Sequence, residues 1–281
     1  MSLMLPQQEC DERSLQMIID FVKRETGIDL GDAPRKNIER KLVRLMQELG
    51  YSSCRDLVDV LLDADEALLQ HLIDALTVTE SYFFREEVHF RVLSRQIMPK
   101  LLKRSKGSVR IWCAGCARGE EPYTLAMYLL EDGWILPSRD IRIYATDINR
   151  AALQVGRDGL YSERSLSFRN TPPYFLEKYF ERPEDHLYRV RRLVRDLVEF
   201  SYLNLVDREA MGRMRDIDVI FCRNVLYYFN RYAKKQVVDS FHASLNPGGF
   251  LFISGMESLH KVPHDFEMKV LDQVTLYQKR V

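Results

Sequence analysis

Net charge is the first thing this sequence lacks. Its 41 Lys and Arg residues balance 41 Asp and Glu residues to a formal zero, so no global field points to nucleic acid or an anionic membrane. Any electrostatic partner must be met by a local patch. Long apolar runs are missing too: "DLVDVLLDADEALLQHLIDAL" is interrupted by acids every few residues, which excludes a spanning helix. The beginning, "MSLMLPQQECDERS", has no basic stretch and too short an apolar run for a signal peptide. These absences predict a cytoplasmic protein. Cysteine is sparse, five in 281 residues without framework spacing, which predicts reduced thiols rather than a disulfide scaffold. No internal repeat or low-complexity tract is present.

The chain is long enough to bury a sizeable core, as one large domain or a large one with a small one. Residues 13 to about 76 carry apolar residues at helical spacing, predicting a small all-helical N-terminal domain (1–76). In "APRKNIERKLVRLMQELGY", Pro34 suits a helix start and Gly50 a stop. Ile38, Leu42, Leu45 and Leu49 share one face of this helix (35–49), and Lys36, Arg40 and Arg44, with Lys41 beside them, lie roughly opposite. Two readings stay open for the basic stripe: a solvated face, or a dock for an acidic surface.

From residue 77 to 281 short apolar strands alternate with helices, the signature of an α/β fold with a largely parallel sheet. The strands expected are 109–115, 141–148, 198–205, 217–224 and 250–255, then two more near 267–271 and 275–280. Helices are expected at 86–104, 121–131, 149–156 and 234–245. Seven strands ending in a hairpin describe a Rossmann-like sheet. The stretch from about 160 to 196, with its own prolines and Arg189, Arg191, Arg192 and Arg195, breaks the alternation and reads as a protruding insertion, partly helical and then a small β-hairpin.

"RIWCAGCARGEEPYTL" (110–125) sits at the first strand-to-helix turn. Its C-x-x-C spacing raises a redox or zinc reading, but Cys113 lies in the strand, ahead of any activating helix N-terminus. Cys10, Cys54 and Cys222 are scattered and no H-x-x-x-H accompanies them, so no metal is expected. The turn is placed where α/β sheets bind cofactors, with Gly115 and Gly119 leaving room for a ligand at the backbone. It lacks G-x-G-x-x-G and carries Glu120 and Glu121 where a pyrophosphate needs bare N–H groups. A Rossmann dehydrogenase is thereby remote. The acids suit a phosphate-free ligand with a cationic end, such as S-adenosylmethionine. Asp147, closing the next strand, stands where an acid reaches ribose hydroxyls. Asn204, Arg223 and Asn224 fall at the same rim, followed by Tyr227 and Tyr228. "TPPY" (171–174) falls inside the insertion and not after the fourth strand, so base methylation is disfavoured.

"TESYFFRE" (79–86), "ARGEEPYTLA" (117–126), "ATDIN" (145–149) and "FCRNVLYYF" (221–229), in this order, resemble the CheR-type chemotaxis receptor methyltransferases over nearly the whole chain. The resemblance implies a class I methyltransferase fold. It also implies transfer of methyl from S-adenosylmethionine to glutamate carboxylates of chemoreceptors, with S-adenosylhomocysteine as product. By position it places Thr79, Ser81 and Arg85 near the methionine moiety and acceptor, and Glu121 on the cationic end. Asp147 would hold the ribose, Asn204 and Leu205 would flank the adenine, and Arg223 and Asn224 would close the site. Arg85 and Tyr228 are the catalytic candidates, one steering the acceptor and the other positioning the donor end. Lys36, Arg40, Lys41 and Arg44, and secondarily the 182–196 hairpin, become receptor contacts. The stretch "FERPEDHLYRVRRLVRDLVEF" (180–200) is a few residues shorter than in members that grip a receptor C-terminal pentapeptide, which implies recognition without it. A methyltransferase of another protein or small molecule, and a non-catalytic adaptor of the same fold, are the competing readings.

Overall fold

The computed structural model describes residues 10–31, 34–63, 65–104 and 107–281. Most of the N-terminal stretch read above for a leader lies outside these residues. Two compact units are present: the chain through Val78 together with Tyr228–Ala233, and Thr79–Tyr227 together with Lys234–Val281.

In the first unit four helices, α1 (Glu12–Thr26), α2 (Arg35–Leu49), α3 (Cys54–Leu62) and α4 (Glu66–Leu76), bury their apolar faces on one another. Their ends are set by sequence. Asp11 and Asp65 accept amide hydrogen bonds as N-caps, Ser53 and Asp56 form a capping box, and Gly27 and Gly50 end helices in the left-handed conformation. Ile38, Leu42 and Leu45 are buried as the periodicity requires, but Leu49 is exposed and Met46 fills the core in its place. The phase of the stripe slips there because α2 ends one residue later, at Gly50. Segment 228–233 joins this unit through the Tyr228 carbonyl, which accepts from the Asp29 amide at 2.7 Å, and through an Ile28–Phe229 bridge.

The reduced-thiol expectation fails at two positions: Cys10 and Cys54 form a disulfide tying the lead into α1 to the first turn of α3. Forty-four residues of separation leave no local signature of such a pair. Thiol titration in denaturant should therefore count three thiols without reductant and five after reduction, from Cys113, Cys116 and Cys222 plus the released pair. Five thiols without reductant would contradict the bond.

The second unit is built on seven strands in the order β6-β2-β1-β7-β8-β10-β9. They are β1 (Ser108–Ala114), β2 (Asp140–Asp147), β6 (Val198–Tyr202), β7 (Ile217–Phe221), β8 (Leu245–Phe252), β9 (Phe266–Leu271) and β10 (Val274–Lys279). The first five pair in parallel, and β10 inserts antiparallel between β8 and β9. The chain reverses its direction of winding between β1 and β7, the switch point where such sheets open a crevice. Strands β6 and β7 stop three residues before the sequence pattern suggests, which leaves 203–205 and 222–224 as rim loops. Conversely β8 starts five residues early, at Leu245. Leu245 pairs with Ile217 and Phe250 with Val219, so the N-P-G-G stretch forms the bulge between them, where a Cβ at Gly249 would sit 2.9 Å from the Asn246 carbonyl and 3.0 Å from that of Asp218.

The helix expected at 86–104 runs as α5 (Val88–Val92), one π-helical turn (Leu93–Ile97) and α6 (Met98–Arg104). Pro99 explains the widening, since it lacks the N–H and its ring crowds the carbonyl four residues back. Helices α7 (Glu120–Glu131), α8 (Arg150–Asp158) and α12 (Arg231–Ser244) match their expected places, and α11 (Arg208–Met211) is a single turn.

The insertion is more than a hairpin, and it does not simply protrude. β3 (Leu160–Ser162), β4 (Phe180–Glu181) and β5 (Leu187–Val190) form a three-stranded antiparallel sheet, with α9 (Pro173–Tyr179) between β3 and β4 and the turn α10 (Arg192–Arg195) after β5. Phe83 touches Tyr161, Phe168 and Phe180 edge-on or stacked at 5.0–5.3 Å, so its aromatic side chains are continuous with the core of the main sheet.

Candidate active site

Glycines close the β1–α7 turn for internal reasons. A Cβ at Gly115 would sit 2.5 Å from Val225, and one at Gly119 would sit 2.9 Å from the Phe200 ring. Both residues have positive φ. The room expected for a ligand at these two positions is taken by β6 and by the loop after β7. The turn's donors are also committed. Gly115 and Cys116 donate to the Thr146 carbonyl at 2.8 and 2.9 Å, Ala117 to Asp147 Oδ2 at 2.7 Å, and Gly119 to the Cys116 carbonyl. Four of the turn's amides are thus taken by the protein itself.

Two arginines face different fates. Arg223, at the end of β7, has a side chain only 1% exposed. It donates to Glu121 Oε2 at 2.8 Å, to Glu86 Oε2 at 2.9 Å and to the Arg85 carbonyl, and lies over the Phe90 ring. It is a buried clamp between two loops. Arg223 holds the Glu86 carboxyl below the usual range against its desolvation, whereas burial pushes Glu121 up in spite of the same cation. Arg85 is half-buried with its guanidinium against the Tyr82 ring. Among the described residues no carboxylate pairs with it. Left-handed Phe84 and Glu86 flank it, at φ 63° and 51°, a strained geometry. The strain is held by a bond from the Phe84 amide to Thr124 Oγ1 and by Phe84 packing on Phe175 at 4.6 Å.

Around this pair of arginines stand Glu120, which the sequence offered with Glu121 for a cationic end, and Glu86 and Glu257, to which it gave no role. Glu120 is fully buried, accepts from Ser167 Oγ at 2.9 Å through Oε1, and is pushed up by burial. Glu86 ties Arg223 to the Gly255 amide. Glu257 accepts from the amides of Asn224, Val225 and Leu226. Glu86 stands in a quoted motif and Glu120 beside Glu121, so proximity was a usable signal; Glu257 offered none.

Thr79 and Ser81 are half-buried on the strand-like lead into Arg85. Asp147 closes β2 and shapes the turn, accepting from the Ala117 and Asn149 amides. Asn204 and buried Leu205 follow β6, and Asn224 is left-handed at φ 61°. The second unit thus brings Arg85, Glu121 and Arg223 into one network, with Asp147 across the turn from them. Tyr228 packs with the helical unit instead. Cys113, Cys116 and Cys222 are buried and their thiols are pushed well up by burial, with Glu121, Asp147 and Glu257 adding to it in turn. Redox reactivity needs the opposite shift. Among the described residues no cluster of three His, Cys, Asp or Glu could hold a metal ion, and no helix is long and apolar enough to cross a membrane.

The donor set fits S-adenosylmethionine: carboxylates for a cationic end and a strand-terminal acid for a ribose. Comparison with known proteins agrees. Residues 79–275 match the CheR methyltransferase S-adenosylmethionine-binding domain, and 13–77 the CheR all-alpha domain. A "Chemotaxis protein methyltransferase 2" of Vibrio cholerae is 35% identical over 262 residues, covering 92% of this chain and 90% of the relative. "Chemotaxis protein methyltransferase 1" of Pseudomonas aeruginosa is 32% identical over 92% and 95% of the two chains. A "Chemotaxis protein methyltransferase" of Salmonella typhimurium is 31% identical over 90% and 86%. With both of its domains matched and its cofactor site of the expected chemistry, the chain belongs to the CheR family of S-adenosylmethionine-dependent chemotaxis methyltransferases.

Proposed function

We propose that this enzyme methylates glutamate side chains in the helical cytoplasmic region of chemoreceptors, forming γ-glutamyl methyl esters. The observation that carries the reading is Arg85, a guanidinium with no carboxylate of its own among the described residues, in a network where Arg223 has two. An anionic acceptor can take that place. The bases nearby also disfavour amine or alcohol acceptors. His89 is buried and its pKa is depressed to about 4, by desolvation first and then by Arg223. A group so weak is a poor base for an acceptor that must lose a proton. A glutamate, with reference pKa about 4.3, arrives already ionised.

S-adenosylmethionine supplies a methyl group already activated on its sulfonium. The chain's part is to align and to exclude water. In this reading Thr79 and Ser81 border the methionine end, Glu121 meets its ammonium, Asp147 the ribose, and Asn204 with Leu205 the adenine. Asn224 shapes the rim, and Arg223 acts from beneath by holding Glu121. Arg85 orients the acceptor without neutralising it. Arg85→Ala should lower kcat about tenfold with S-adenosylhomocysteine affinity kept; unchanged turnover would remove Arg85 from the acceptor site.

The exposed stripe Lys36, Arg40, Lys41 and Arg44 on α2 is read as the receptor dock, and recognition is read as independent of a receptor C-terminal pentapeptide. Within the helical unit Arg44 pairs only with exposed Glu48 and Arg40 with Asn37, loose partners that an acidic helix would displace. Charge reversal at Arg40 and Arg44 should raise KM for receptor about tenfold and flatten its salt dependence, leaving KM for S-adenosylmethionine alone. An unchanged receptor KM returns the stripe to plain solvated surface. The reading as a whole is tested with methyl-labelled S-adenosylmethionine and receptor-containing membranes, followed by mild alkali. Volatile labelled methanol is expected from an ester; alkali-stable label would mean another acceptor and end the proposal.

A further inference from the structure

We propose that Glu257 is a positioning residue of the cofactor site, the internal anion that holds the rim loop after β7 in its left-handed conformation and ties it to the Arg85–Glu86 loop. The inference rests on the methyltransferase reading of the site and adds a residue to it. One carboxylate satisfies four main-chain donors. Its Oε1 accepts from Val225 and Leu226 at 3.0 and 2.8 Å, and its Oε2 accepts from Asn224 at 2.9 Å and from Ser254 at 3.0 Å. Three successive amides converging on one anion form a nest, a concavity with the electrostatics of an anion site. Here the protein fills it with its own side chain.

The consequence reaches the ligand-facing groups by two routes. Asn224 sits at φ 61°, a conformation that a non-glycine residue keeps only when its surroundings fix it. Its amide bond to Glu257 is such a restraint. The second route leaves from the same turn. Gly255, two residues before Glu257, donates its amide to Glu86 Oε1 at 3.1 Å, and the other oxygen of Glu86 receives Arg223 at 2.9 Å. Arg223 in turn holds Glu121. A loosened 254–257 turn therefore frees Asn224 directly and lets the Glu86–Arg223–Glu121 chain shift.

Neutral isosteric replacement isolates the effect. In Glu257→Gln one oxygen becomes an NH2 group facing two N–H donors, so two bonds turn repulsive without a change of volume. Calorimetric titration of S-adenosylhomocysteine should show at least about tenfold weaker binding, and KM for S-adenosylmethionine should rise with KM for receptor unchanged. Glycine takes positive φ without strain, so the Glu257→Gln loss should be smaller in an Asn224→Gly background than in the wild-type background. A purely structural role predicts equal losses in both. Should Glu257→Gln not fold, Glu257→Asp, which keeps the charge but is one methylene short, gives the same comparison. Wild-type affinity in the variants, or equal losses in the two backgrounds, overturns the inference. Failure of the wild-type protein to bind S-adenosylhomocysteine would instead indict the cofactor site itself.

Discussion

Arg223→Met should lower unfolding stability at neutral pH by about 3–5 kcal/mol and abolish measurable cofactor binding. The substitution keeps the volume and the contact with Phe90 but removes the cation on which Glu86 and Glu121 converge. Two largely buried carboxylates would then face each other without the cation they share. Folded domains hold only about 5–15 kcal/mol in reserve, so the loss is a large part of the whole.

The pH dependence identifies the cause. In the intact protein Glu86 titrates below its usual value of 4.5, so its stabilising contribution is present above 4.5 and is lost as pH falls through the lowered value. In Arg223→Met the sign inverts. Both carboxyls would titrate above 4.5, and the penalty is felt once pH exceeds their raised values. The stability gap between the two proteins should therefore narrow on acidification toward 4.5, measured by denaturant unfolding at pH 7 and pH 5. Arg223→Lys should restore part of the stability but not the cofactor affinity, because an ammonium does not reproduce the fork that spans both acids. A variant as stable as the wild type at pH 7 would show that the clamp is not structural.

How far the sequence foretells this site depends on what each residue's role is made of. Strand-terminal Asp147, Asn204 and Arg223 were legible because period-2 apolar runs end there, and the crevice of an open sheet lies at strand ends. What Arg223 does there was not legible. Its partners are 102 and 137 residues away, and burial of a charge is decided by packing, which periodicity does not report. Gly119 shows the same limit from the other side: a turn glycine suggests room, and the structure fills it with Phe200. The helix and the hairpin of the insertion were legible, but its third strand and its packing were not, because its aromatic residues, spaced irregularly through 161–188, carry no pattern until Phe83 packs among them. Helix caps, by contrast, are local chemistry, and Pro34 and Gly50 bound α2 as the sequence suggests.

Glu121→Gln should leave the fold intact and weaken S-adenosylmethionine binding by about 2 kcal/mol, roughly thirtyfold. A glutamine oxygen can still accept from Arg223, which keeps Glu86 as its counter-ion, so the loss is one of charge at the ligand and not of scaffold. Burial raises the Glu121 carboxyl above 4.5 even with Arg223 beside it. Its contribution to folding is therefore fully present below 4.5 and is lost as pH rises through the raised value. Ligand binding pulls the other way. A cation reaching Glu121 favours the ionised form, so wild-type affinity should fall as pH drops through the raised Glu121 pKa, with proton release on binding in that window. In Glu121→Gln this pH dependence should vanish while the variant gains folding stability at neutral pH. Calorimetric titrations in two buffers of different ionisation heat at pH 5 and pH 7 separate the cases. A variant that keeps the wild-type pH profile would place the cationic end of the cofactor elsewhere. Stability and affinity thus make opposite demands on one carboxyl, and the charge that Arg223 only partly compensates is the one the ligand completes.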